Sequence, residues 1–106
     1  MTAYALAHLR TLDFNDEIRE YLRRIDGTLE PYGGRFLVHG GRPQVVDGEL
    51  PGFVVVLEFA DTDRARAWYE SPEYQAILPL RLRNSEGGAA ILTGVPDGYR
   101  AASIAG

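Results

Sequence analysis

The chain has 106 residues, eleven arginines, no lysine, no cysteine and a net charge of −4. That length fits one domain, which buries roughly 65% of its unfolded surface. The acidic balance argues against a nucleic-acid binder, because neutralising phosphates needs a basic surface. The missing cysteines exclude disulfides, thiolate catalysis and Cys-ligated zinc, and the missing lysines exclude Schiff-base chemistry on a lysine amine. Arginine is the one permanent cation left to hold an anionic ligand. Met1-Thr2-Ala3 leads straight into an alternating segment, with no basic or long apolar leader. No apolar run approaches a membrane span, so the expected location is the cytoplasm.

Ala3 to Leu9 reads as a first strand, with Tyr4, Leu6 and His8 on one face and Ala3, Ala5, Ala7 and Leu9 on the other. Asp13 is the expected N-cap of a first helix, with Asp16 and Glu17 in its first turn. Phe14, Ile18, Tyr21, Leu22, Ile25, Leu29 and Tyr32 then follow as an apolar stripe at helical spacing. Pro31 and Gly33-Gly34 end it. Arg35 to His39 reads as a second strand, broken by Gly40-Gly41 and Pro43, and Gln44 to Gly52 as a long hairpin loop.

Phe53 to Phe59 is the third strand, with six of its seven side chains apolar. A strand with one wet face alternates; this one does not, so both faces of its sheet call for cover. Glu58 is the exception. A second helix begins after Asp61, and Ser71-Pro72 interrupts and restarts it, Ser71 as N-cap and Pro72 at the first position. Tyr74, Ile77, Leu78 and Leu82 supply the apolar side of the restarted helix, with a kink expected at Pro79. Ala89 to Val95 is the fourth strand. Residues 1–95 make one domain and residues 96–106 a tail.

The order βαββαβ predicts an α+β, ferredoxin-like domain: a four-stranded antiparallel sheet with two helices on one face. Those helices cover only one face of strands that are apolar on both. A second copy is the simplest cover, giving a homodimer of face-to-face sheets.

Tyr32 to Gly41 (Tyr-Gly-Gly-Arg-Phe-Leu-Val-His-Gly-Gly), Leu57-Glu58-Phe59, Ala65 to Gln75 with its Trp-Tyr-Glu-Ser-Pro-Glu-Tyr run, and Arg81 together resemble the bacterial family catalogued as domain of unknown function 1330. The resemblance runs from Tyr4 to about Val95, and the Trp-Tyr-x-Ser-Pro-Glu-Tyr segment is its most specific part. It implies the dimeric α+β barrel superfamily, which holds cofactor-free oxygenases, haem-degrading enzymes, lactone isomerases and plain ligand binders. It implies no one activity. His39 stands where relatives commonly carry arginine.

Glu58 and Arg35 lie on the second and third strands, which a hairpin makes neighbours. Their plain reading is an ion pair that sets register; their functional reading is a carboxylate base held in an apolar cleft. The first and third strands are expected to run side by side and parallel, which sets His8 and Glu58 at similar heights; if both face one cavity, they form a dyad for proton transfer. Two histidines on separate strands make no metal motif, and no metal is expected. Trp68, Tyr69 and Tyr74 are either packing residues or an aromatic wall for a flat ligand. The helix start at Ser71-Pro72 offers free N–H groups to an anion. Arg81, followed by Arg83, Asn84 and Ser85, either complements a helix dipole or grips a ligand carboxylate. Arg64 and Arg66 read as solvated surface.

The expected function is to hold a small, partly apolar or anionic organic molecule in a sheet–helix cleft. Glu58 and His8 are the catalytic candidates; Arg35, Trp68, Tyr74, Arg81 and His39 are the binding candidates. No cofactor is expected. A cofactor-free enzyme of proton transfer or oxidation, a non-catalytic ligand-binding or stress-response protein, and a purely structural dimer are the three alternatives.

Overall fold

The computed structural model describes residues 1–106. Its sheet is built from β1 (Ala3–Leu12), β2 (Arg35–Val38), β3 (Phe53–Phe59) and β4 (Ser85–Thr93). The order is β2-β3-β1-β4, and every neighbouring pair is antiparallel. Three helices follow the strands: α1 (Asp16–Leu29), α2 (Thr62–Glu70) and α3 (Pro72–Leu82), with short 3₁₀ turns at Glu30–Tyr32 and Ala101–Ser103. This is the ferredoxin-like α+β arrangement.

The antiparallel β1–β3 pair corrects the parallel pairing expected above. The crossover through α1 brings β2 back in the same sense as β1. β3 turns back from β2 and enters the sheet between them, so it must oppose both. The register pairs Tyr4 with Glu58 and His8 with Val54.

Element boundaries also differ from expectation: β1 runs to Leu12 rather than Leu9, β2 ends at Val38 rather than His39, and β4 at Thr93 rather than Val95. Asn15, not Asp13, caps α1: its side-chain oxygen accepts the Ile18 N–H at 3.1 Å. The Asp13 N–H instead donates to the Asn84 carbonyl at 2.7 Å. β4 starts at Ser85 rather than Ala89, because Glu86, Gly87 and Gly88 pair with Thr11, Leu9 and His8. Gly87 is what the pairing needs, since a Cβ there would collide with the His8 carbonyl. Gly34 serves a similar end, since a Cβ there would lie 2.5 Å from the ring of Phe59, which is buried and cannot yield. α3 remains helical through Pro79.

Alternation decides what each face holds. Ala3, Leu9, Leu57 and Phe59 point toward the helices and are buried, most of them with Trp68, Tyr74, Ile77 and Leu78 in one core. The opposite face carries Tyr4, Leu6, His8, Val54, Val56, Glu58 and Leu92 in register, with no helix over it. The molecule is 17 Å across its thinnest dimension, the depth of one sheet and one helix layer. No helix is long and apolar enough to cross a membrane.

Within the helix layer, α2 lies on β1, β3 and β4, whereas α1 packs mainly on α3. A polar clasp fixes that contact. Arg83 Nη2 donates to Glu17 Oε2 at 2.6 Å, Asn84 Nδ2 to Glu17 Oε1 at 2.9 Å, and Asn15 Nδ2 to Asn84 Oδ1 at 2.6 Å. The hydrogen bonds from Arg83 and Asn84 hold the Glu17 carboxyl below its ordinary 4.5.

A carboxyl depressed by folding stabilises above its unfolded value and loses that contribution as pH falls through its folded value. Glu17→Gln is therefore expected to lower stability near neutrality and to converge with the parent chain well below pH 4.5. Urea titrations across that range check it; parallel curves at all pH values would contradict it.

Candidate functional site

β1 presents Ala5 and Ala7 to the helix side, and β4 presents Ala89. These short side chains, beneath a helix that leans on α3 instead of the sheet, leave a cavity of about 650 Å³, the size of a small-molecule site. Twenty of its 25 lining residues are hydrophobic. α1 contributes Ile18, Tyr21, Leu22 and Ile25, and the far wall holds Leu57, Trp68, Tyr69 and Tyr74.

The aromatic wall is a connected stack. Trp68 and Tyr74 have ring centroids 4.1 Å apart, Tyr69 lies 5.6 Å from Tyr74, and Tyr21 meets Tyr74 edge-on at 6.1 Å. Trp68 and Tyr74 are core residues that also face the cavity, and Tyr69 is half-buried. The Trp68 indole N–H donates to Thr28 Oγ1 at 3.0 Å, and Thr28 donates in turn to the Ile25 carbonyl at 2.7 Å. This chain locks the indole in place.

Arg81 is the charged residue of the cavity wall that is buried, at 8% exposure. No carboxylate lies within 4.0 Å of it, whereas seven of the other ten arginines have one. Burial opposes its charge, the Tyr74 and Tyr21 phenols favour it, and the net direction is upward, so it stays a cation. The Tyr21 and Tyr74 hydroxyls are hydrogen-bonded at 2.7 Å. Burial first, then the charge and hydrogen bond of Tyr74, push the Tyr21 phenol far up, so it remains protonated. Tyr21 is the residue that reading the sequence passed over. Its one signal there was a phenol between Ile18 and Leu22 in the middle of the helix stripe, which needs a polar partner once buried.

The structure divides the other candidates between two places. His39 lies at the cavity mouth, its ring stacked on Phe36 at 4.4 Å, and Arg66 lines the cavity while reaching Glu70 at 4.0 Å. Glu58, Arg35 and His8 are on the other face of the sheet. Glu58 accepts from Arg35 Nε and Nη2, each at 2.8 Å, with the Arg35 side chain 68% exposed. The His8 Nε2–H donates to the Pro51 carbonyl at 2.8 Å and ties the β2–β3 loop to the sheet. Glu58 and His8 share a face but stand four residues apart along it, so the expected dyad does not form. Both point away from the cavity. The α3 start is not open to an anion through its cap either: Ser71, itself buried, accepts the Tyr74 N–H at 3.2 Å. No three His, Asp or Glu side chains converge as a metal site.

The family model described as "Domain of unknown function (DUF1330)" matches residues 2–95. A comparison with curated proteins yields no match. Solved structures share the fold. RPA0582, a protein of unknown function from Rhodopseudomonas palustris, is 14% identical with a TM-score of 0.65, over 90% of this chain and 83% of its own. A dimeric ferredoxin-like protein of unknown function from Jannaschia sp. CCS1 is 18% identical with a TM-score of 0.65, over 87% and 96%. SnoaB, a cofactor-independent oxygenase from Streptomyces nogalater, is 14% identical with a TM-score of 0.56, over 93% and 96%. Identities this low carry the fold alone.

Thr28→Val keeps the shape of the side chain but leaves the buried Trp68 N–H without an acceptor. The expected cost is about 1–3 kcal/mol, read as a lower urea midpoint with an unchanged slope. An unchanged midpoint would mean that the bond contributes nothing.

Proposed function

The chain belongs to the family described as Domain of unknown function (DUF1330), and from its cavity we propose that it binds a small, largely apolar organic molecule carrying one anionic group. The carrying observation is Arg81, a buried cation without a carboxylate partner at the wall of an apolar cavity. An unpaired buried charge is costly, and a ligand anion would offset it. Trp68, Tyr69 and Tyr74 form the face against which the body of the ligand lies, and His39 sits at the entrance.

Binding is favoured over acid–base catalysis because no lining residue carries a carboxylate. The two residues with the strongest sequence claim to such a role, Glu58 and His8, are engaged elsewhere. The second element of the proposal is assembly. The uncovered sheet face, with Leu6, Val54, Val56 and Leu92, fits against a second copy of the chain. The Arg35–Glu58 pair would then mark register on that face.

Anilinonaphthalene sulfonate, an apolar body with one anionic group, is the probe. Saturable fluorescence is expected with the parent chain, and Arg81→Met is expected to weaken it about tenfold or more. Equal binding by the two proteins would overturn the role of Arg81. Native mass spectrometry is expected to give a dimer, and Val56→Glu a monomer; a monomeric parent would overturn the assembly.

A further inference from the structure

Hydrogen-bond polarity at the Arg81 end of the cavity is one-sided. A guanidinium has five donors and no acceptor. Two hydrogen-bonded phenols have two protons and use one between them. Arg81 beside them donates toward the phenol oxygens and cannot accept, so it takes up neither phenol proton. One phenol proton is thus left over, next to a cation, in a wall of donors. The groups facing this point are Tyr21 from α1, Tyr69 from α2, and Tyr74 and Arg81 from α3. The remaining charged or titratable lining groups are Arg66 and His39. None is a carboxylate, so nothing on the wall competes as an anion.

We infer that Arg81 and the Tyr21–Tyr74 pair form an oxyanion-selecting end of the cavity, which takes ionisable phenols and enols as their anions and makes the bound ligand a stronger acid. The inference rests on the ligand-binding reading above and specifies its ligand class. A phenolate or enolate is a flat conjugated body ending in one oxygen. That matches an aromatic wall of Trp68, Tyr69 and Tyr74 ending in a guanidinium and a single free O–H. Nearby positive charge and hydrogen bonds to the charged form both lower an acid's pKa. The proton lost on binding passes to solvent, and no protein base is required.

The test uses para-nitrophenol, whose colour reports its ionisation, and para-nitroanisole, its methyl ether, which cannot ionise. Both are expected to bind the intact protein. Nitrophenolate is expected to bind at least about tenfold more tightly than neutral nitrophenol, read as a fall of about 1 pH unit or more in the bound pKa. Arg81→Met should abolish that fall, and the double variant Tyr21→Phe/Tyr74→Phe should diminish it. Each variant's pKa fall is read against its own nitroanisole binding, and the fall is expected to be lost or diminished while nitroanisole still binds. Nitroanisole binding with no fall in the nitrophenol pKa overturns the oxyanion assignment alone. A fall that survives Arg81→Met overturns it as well. Failure of both compounds to bind the parent protein overturns the ligand-binding reading and this inference together.

Discussion

The contact between α1 and α3 governs the rest of the molecule. A helix laid on a sheet normally closes the space beneath it with its own side chains. Here α1 spends its apolar stripe largely on α3, where Tyr21 meets Tyr74 and where Glu17 holds Arg83 and Asn84. α1 is therefore carried above the alanines of β1, and the gap becomes a cavity. The same contact makes the cavity polar at one end, because the residues that fasten the helices there are phenols beside an arginine.

The sheet imposes the second constraint. Its strands are apolar on both sides, and the chain has helices for one. The polar residues of the strands collect on the uncovered side, where they are already engaged: Arg35 with Glu58, His8 with Pro51. The face rich in acid–base groups is thus not the face with the cavity. The paired strand groups lie on one side of the sheet, and the cavity with Arg81 and its tyrosines on the other.

Much of this was legible in the residues. The Phe53–Phe59 run marked a central strand, Ser71-Pro72 marked the restart of a helix, and the hairpin between the second and third strands brought Arg35 to Glu58. Arg81, Trp68 and Tyr74 were singled out, and they line one cavity. Other features were not legible, for physical reasons. Alternation separates Glu58 from Phe59, but does not say which parity faces the helices. Ala89 reads as the start of the fourth strand because nothing local shows that the His8 backbone opposite Gly87 leaves no room for a side chain. The Tyr21–Tyr74 bond joins residues 53 apart, and no local pattern announces a contact at that range.

Trp68 is the chain's single tryptophan, and it stands in the cavity wall with its indole pinned by Thr28. Its emission arises from one environment, with no second fluorophore of its kind to average against. A conjugated molecule entering the cavity must lie within a few ångströms of that ring, close enough to quench it or accept its excitation. The protein therefore carries a built-in optical gauge of its own occupancy. Unlabelled protein and a library of candidate compounds suffice to search for what it holds.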